Sequence, residues 1–309
     1  MYYPVLRGKR FELLAVRDSA AVMAASGFVP IVEPVTAKLD DLKRALDALT
    51  ENGCSSFVIV NSRHGKNRPT TPAVESLLQQ YPNASTGSPA MALTASTSLA
   101  DVLAFLTRHQ GRRVALIHAG FTNGPALAQQ VTNFQGDLTH VFEDKKTDSL
   151  YRQSFLSGTR VIVADGFTRT NNRDYPDVEQ FSSLHLTYQN DGFDGFGDYL
   201  IQGDYFQDGG GGAYAVAIHL TCIDPNDQDR MHIRHFVSDD NETRADPGAK
   251  FDQAVAKLVA HVNSPASYVL STAGLDSFLR CAAGPHYPGL GSLKRYSMNH
   301  HIETLANYP

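Results

Sequence analysis

Short apolar runs recur along the first half of the chain, and amphipathic stretches lie between them. Strands are expected at 3–6, 28–32, 57–60, 91–94, 114–118, 139–142 and 160–164. Their starts fall 25, 29, 34, 23, 25 and 21 residues apart. That interval holds one strand, one helix and two loops, the βα repeat of a parallel sheet. The runs are mostly continuous rather than alternating, as strands covered on both faces require.

The helices between them are equally legible. Leu39, Leu42, Leu46 and Leu49 recur at helical spacing, with Asp40, Asp41, Lys43, Arg44 and Asp47 mostly on the other face. Thr97 or Ser98 can cap a helix running to His109, which stops at Gly111. Seven such units predict a (β/α)8 TIM-like barrel, whose usual size is about 250 residues. The expected division is a barrel domain over 1–245 and a helical extension over 246–309 packed on it, with an extra β-hairpin near strand 8.

After Ala164 the rhythm breaks. Strand-like runs at 184–188, 199–201, 213–223 and 232–237 are separated by Gly and Asp, and the pattern does not decide which closes the barrel. Helices are expected at 251–262 and 268–282, then a short closing segment over 294–305.

Composition narrows the class. Twenty-seven basic and 32 acidic residues leave a net charge of −5, which argues against a dedicated nucleic-acid binder. Three widely spaced cysteines, Cys54, Cys222 and Cys281, form neither a disulfide framework nor a zinc ribbon, which fits a reduced, cytoplasmic setting. Charge precedes any apolar run at the N-terminus, and the most apolar stretch, 213–223, is too short to cross a bilayer. No secretory signal and no membrane partner are therefore expected.

Familiar catalytic signatures are missing. There is no Gly-x-Gly-x-x-Gly after a strand, no phosphate loop, no His-Glu-x-x-His and no Gly-x-Ser-x-Gly. The Asp224–Asp229 stretch lacks the sixth-place Gly and twelfth-place Glu of a calcium loop. Adjacent His300 and His301 diverge on a helix, and no metal site or cofactor is indicated.

What remains is position. In a barrel, side chains following the C-terminal ends of strands converge on one mouth, where active sites sit. Arg7 and Lys9 follow strand 1, Glu33 strand 2, Asn61, Arg63 and His64 strand 3; His118 ends strand 5 and Asp165 follows strand 7. Glu33, His118 and Asp165 are the catalytic candidates, for acid–base chemistry. Arg7, Lys9, Asn61, Arg63, Asp204 and His219 are the ligand-binding candidates, for a small anionic, phosphorylated ligand that is bound and hydrolysed or rearranged. Arg7 and Glu33 equally fit a structural pair on neighbouring strands, and strand ends are polar in every barrel. The glycine run 209–212, beside Asp204 and Asp208, fits a flexible turn better than an anion cradle.

The opening Leu6-Arg7-Gly8-Lys9, the Pro30-Ile31-Val32-Glu33-Pro34 segment, the Gly197-Asp198-Tyr199 region and the closing Ser297-Met298-Asn299-His300-His301-Ile302-Glu303 carry a resemblance. Together they resemble the beta family proteins of bacteria and phages. The resemblance implies a barrel and no established activity. Related genes look like parts of mobile elements and defence neighbourhoods, which implies the alternative role of a non-catalytic partner subunit in a phage-encoded or anti-phage complex. Tyr199, Tyr205, Phe206 and Tyr214 are then the contact candidates.

Overall fold

Eight parallel strands form the centre of the computed structural model, which describes residues 1–82, 85–209, 211–212, 214–284 and 286–308. In chain order they are β1 (Val5–Leu6), β2 (Ile31–Val32), β3 (Phe57–Ile59), β4 (Ser88–Thr94), β5 (Val114–Ala119), β6 (Leu138–Glu143), β7 (Thr159–Val163) and, after an intervening strand β8 (Val178–Ser182), β9 (Gly195–Gly197). The amides of Tyr3 and Val5 donate to the carbonyls of Phe196 and Asp198 at 2.8 and 2.9 Å, so β9 returns to β1 and the sheet closes. The chain is a TIM-type barrel.

Helices fill the crossovers: α1 (Arg10–Asp18) and α2 (Ala20–Ala25), α3 (Asp40–Glu51), α4 (Thr71–Leu78), α5 (Leu99–Arg108), α6 (Gly124–Val131), α7 (Ser149–Gln153) and the single turn α8 (Leu184–Thr187). The α3 leucines form its inner face, with Leu42, Leu46 and Leu49 buried together with Ala45. Ser98 is the cap of α5: its hydroxyl accepts from the Asp101 amide, and the Asp101 carboxylate accepts from the Ser98 amide in return.

Strand parity sorts the core into two layers. Phe57, Ile59, Ala115, Ile117 and Val141 fill the barrel lumen, while Val58, Leu116 and Phe142 face the helices. Tyr3, Phe57 and Tyr199 share the lumen with Ala90, Ala92 and Ala115, large rings beside small side chains.

The second half of the chain departs from the expected elements in instructive places. The 184–188 segment is helical, because Leu184 and Tyr188 at i and i+4 both pack onto the outer core. The 199–201 segment is the start of a 3-10 turn, Leu200–Gln202, instead of a strand. The barrel is closed by Gly195-Phe196-Gly197, which carries no strand signal of its own. Its glycines are there for proximity. A Cβ on Gly197 would sit 2.2 Å from the Tyr3 carbonyl oxygen, and one on Gly195 2.5 Å from the Tyr3 ring.

β10 (Ala217–Asp224) and β11 (Arg230–Val237) form the late hairpin, extended by β8 into a three-stranded antiparallel sheet. Ala213, at the start of the expected 213–223 strand, lies outside the described residues, as does Gly210 of the glycine run. Helices α9 (Pro247–Val262) and α10 (Ala273–Ala283) pack on this sheet around Val216, Ile218, Leu220, Phe251 and Phe278. The last helix, α11 (Leu290–Ala306), lies against α1 and β10 and so joins the barrel's outer ring. Its buried histidines are joints: His300 bonds Thr272 Oγ1 and the Thr221 carbonyl, and His301 meets Asp198 and Thr221. No helix is long and apolar enough to cross a membrane among the described residues.

Candidate functional site

Glu33, fully buried just beyond β2, anchors the rim of the barrel. Its Oε2 accepts from Arg7 Nη1 at 3.1 Å and Arg63 Nη2 at 3.4 Å. Its Oε1 accepts from the Arg63 and His64 amides at 2.5 and 3.0 Å, and lies 3.0 Å from His64 Nδ1. Burial alone would raise its pKa, but the His64 hydrogen bond and the Arg63 and Arg7 charges outweigh it and hold the carboxyl at about 2.

From Glu33 the pairing continues around the mouth until it meets itself. Arg63 Nη2 donates to Glu143 Oε1 at 2.8 Å, at the end of β6. Glu143 Oε2 accepts from Lys146 Nζ at 2.7 Å, and Lys146 reaches Asp204 Oδ2 at 3.4 Å. Asp204 Oδ1 accepts from Arg7 Nη2, which closes the circuit. Three cations alternate with three carboxylates, so the ring carries no net charge. Beneath it lie the Tyr199 ring, 4.8 Å under the Arg7 guanidinium, and a void of about 10 Å3 walled by Val5, Ile31, Ile117 and Val141. That is barely room for one water. The mouth is plugged.

Arg7, Glu33, Arg63 and Asp204 therefore come together as one cluster, in which every carboxylate is engaged by its neighbours. Asp165 stands at its edge, accepting from the Phe167 and Asp204 amides at 3.0 Å each and so fixing the loop that carries Asp204. Asn61 spends its amide on β4, donating to the Ala92 carbonyl at 2.9 Å and accepting from the Ala92 amide at 2.8 Å. His118 does not join them. On β5 it is Ile117 that faces the lumen, so His118 points outward among Phe142, Phe155 and Tyr151. There its Nδ1 lies 2.7 Å from the Tyr151 hydroxyl and its Nε2 2.9 Å from His140 Nδ1. Burial and the neighbouring His140 push it well below the usual imidazole range. This position has no access to the mouth.

Lys9 and His219 lie elsewhere, in a cavity of about 320 Å3 beside the plugged rim. It is framed by the loops after β1, β7 and β9 and by the first turn of α11, with Arg169, Tyr175, Tyr205 and Lys294 in its walls. A neighbouring cavity of about 360 Å3 shares Lys9, Gln202, Gln207 and Lys294. Lys9 donates to the Gln207 carbonyl at 2.9 Å, Arg169 to Gln207 Oε1 at 3.2 Å, and Lys294 to Gln202 Oε1 at 3.2 Å. All three partners are neutral. Among the described residues none of these cations is ion-paired with a carboxylate. Lys294 is exposed, yet the desolvation of its ammonium against the cavity wall lowers its pKa, and repulsion from Lys9 and Arg169 adds to the effect against the pull of Glu12.

His219 on β10 lines the same cavity and is paired across the hairpin with the buried His235 on β11. Their Nδ1 atoms lie 2.7 Å apart, and His235 Nε2 lies 3.2 Å from Glu179 Oε1 on β8. Tyr175 stacks on His235 with ring centres 4.5 Å apart. Burial lowers both imidazoles, His219 strongly and His235 against the opposing pull of Glu179, which favours the neutral form of each. Arg169, Lys294, His235 and Glu179 were not singled out by the sequence. Arg169 alone had a signal, its place in the loop after the seventh strand.

Among the described residues no group of three or more His, Cys, Asp or Glu side chains is arranged to hold a metal, and Cys54, Cys222 and Cys281 are buried thiols. Of the aromatic contact candidates, Tyr199 is buried in the lumen, whereas Tyr205 and Tyr214 are exposed with Arg169 and Arg244 over their faces.

Neither a protein-family model nor a curated protein matches the chain. Among solved structures, a morphinone reductase mutant in complex with tetrahydroNAD is similar with a TM-score of 0.39 and 9% identity. The match covers 64% of this chain and 82% of that one.

Proposed function

We propose that this barrel binds a small, phosphate-bearing anion in the cavity lined by Lys9, Arg169 and Lys294, beside its plugged mouth. The observation that carries the reading is the charge balance of that wall: three cations converge on one cavity, and none has a carboxylate partner among the described residues. Uncompensated cations in a half-enclosed site attract an anion and gain charge-assisted hydrogen bonds from it. The first turn of α11 adds its partial positive charge on the same side, since Leu290 and Leu293 line the cavity. The rim ring, being neutral, holds the surrounding loops in place.

Titration calorimetry with inorganic phosphate and pyrophosphate tests this directly. Binding is expected to weaken with added salt. The Lys9→Met/Lys294→Met double variant is expected to lose affinity by at least about tenfold, given 1.5–3 kcal/mol per hydrogen bond to a charged group. Absence of binding at millimolar anion, or equal affinity in the double variant, would refute the proposal.

A further inference from the structure

A histidine facing a cavity is useful as a base only if its outward nitrogen carries a lone pair, and here the neighbours dictate which nitrogen that is. Glu179 is acceptor-only when ionised, so the His235 nitrogen beside it, Nε2, must carry the proton. Neutral His235 then presents a lone pair at Nδ1. The 2.7 Å contact there obliges His219 to donate from its own Nδ1. His219 Nε2 is left as the lone pair, and it accepts no hydrogen bond among the described residues. The relay spans three strands: β8 supplies the carboxylate, β11 the relay imidazole and β10 the imidazole at the cavity.

We propose that His219 is the catalytic residue of the cavity, a general base aimed at the bound anion, with His235 and Glu179 as positioning residues that fix its tautomer. The inference rests on the anion-binding reading. In the step it supports, the O–H bond of a water or ligand hydroxyl beside the anion breaks and its proton forms an N–H bond at His219 Nε2. The electron pair stays on oxygen, which attacks the phosphorus of the bound anion; as the new P–O bond forms, the P–O bond to the leaving group breaks. The new positive charge is shared through His235 with the Glu179 carboxylate until Nε2 returns the proton to the oxygen of the departing group. Such positioned bases contribute typically about 10²–10⁴ in rate.

Diethyl pyrocarbonate reads the lone pair without a known substrate, because it acylates an imidazole only at an unprotonated, accessible nitrogen. With modified sites located by peptide mass spectrometry, His219 should react faster than the buried His118, His140, His300 and His301. Glu179→Leu, which releases His235 to change tautomer, should slow that reaction severalfold. Nitrogen NMR of the imidazole-labelled wild-type chain gives the same answer should that variant not fold: His219 Nε2 must show the shift of a non-protonated nitrogen. An unreactive His219, or a protonated Nε2, overturns the proposal. Inorganic phosphate should protect His219 while leaving exposed His286 unaffected. Reaction at His219 that depends on Glu179 but ignores phosphate would keep the relay and overturn the anion reading, and with it the catalytic assignment.

Discussion

Glu33→Gln isolates what the rim ring contributes, because it removes one charge while keeping the side chain's volume. Holding the carboxyl at about 2 instead of its ordinary 4.5 corresponds to about 3 kcal/mol at about 1.36 kcal/mol per pH unit. The amide also turns an NH2 toward donors it cannot satisfy and leaves Arg7 and Arg63 short of one buried anion. Breaking one partner out of a buried ion pair costs roughly 3–5 kcal/mol, so about 3 kcal/mol is the expected loss at pH 7. The pH dependence carries the sign. A carboxyl whose pKa is depressed by folding stabilises the fold fully above its unfolded value of 4.5, and loses that contribution as pH falls toward about 2. By pH 3 about 2 of the 3 kcal/mol should be gone. Urea denaturation of wild type and variant at pH 7, 4 and 3 measures it: the gap should shrink steadily toward acid. A gap under about 1 kcal/mol at pH 7, or one that does not change with pH, refutes the description of Glu33 as an ionised hub.

Two further outcomes follow from the geometry. Gly197→Ala should destabilise the barrel by about 1–3 kcal/mol or prevent its closure, since the new methyl meets the Tyr3 backbone, which cannot rotate away; thermal unfolding checks this. His118→Leu should destabilise by about 1–3 kcal/mol, through a stranded Tyr151 hydroxyl and His140 nitrogen, yet leave phosphate affinity unchanged in titration.

Seven of the eight barrel strands were legible because each is a buried apolar run with a helix behind it. The eighth was not, because Gly195-Phe196-Gly197 is chosen for how closely β1 approaches, a property of the partner strand. The rim divides in the same way. Arg7, Glu33 and Arg63 could be grouped because strands 1 to 3 are neighbours in any barrel. Their closure into a ring depends on Glu143, Lys146 and Asp204, which follow other strands, and no local pattern announces it. His118 shows how sharp the limit is. Side-chain direction alternates residue by residue, so a strand end placed one residue off exchanges the mouth for the helix layer. His235 sat in an ordinary strand, and its role exists only through Glu179 and His219 on the adjacent strands.

The neutral ring also explains why the cavity beside it is charged, and this yields an unusual expectation for Lys294. Glu33, Glu143 and Asp204 are committed to Arg7, Arg63 and Lys146, so they do not compensate Lys9, Arg169 and Lys294. A lysine whose pKa folding has lowered destabilises the folded state at neutral pH, because the unfolded chain holds that proton more tightly, and the exposure of the Lys294 side chain lets solvent screen much of that effect. Lys294→Met keeps the aliphatic stem and removes the repulsion. The unliganded variant should therefore be slightly more stable than wild type at pH 7, as the screened repulsion of an exposed cation allows. That gap should narrow as pH rises past the lowered pKa of Lys294. In phosphate the ranking should reverse, because an anion that binds only the folded chain stabilises wild type in proportion to its occupancy and leaves the variant behind. Unfolding curves in chloride and in phosphate at matched ionic strength decide the matter. A variant less stable than wild type in both would mean that Lys294 packs as a structural strut, and that the three cations were never in conflict.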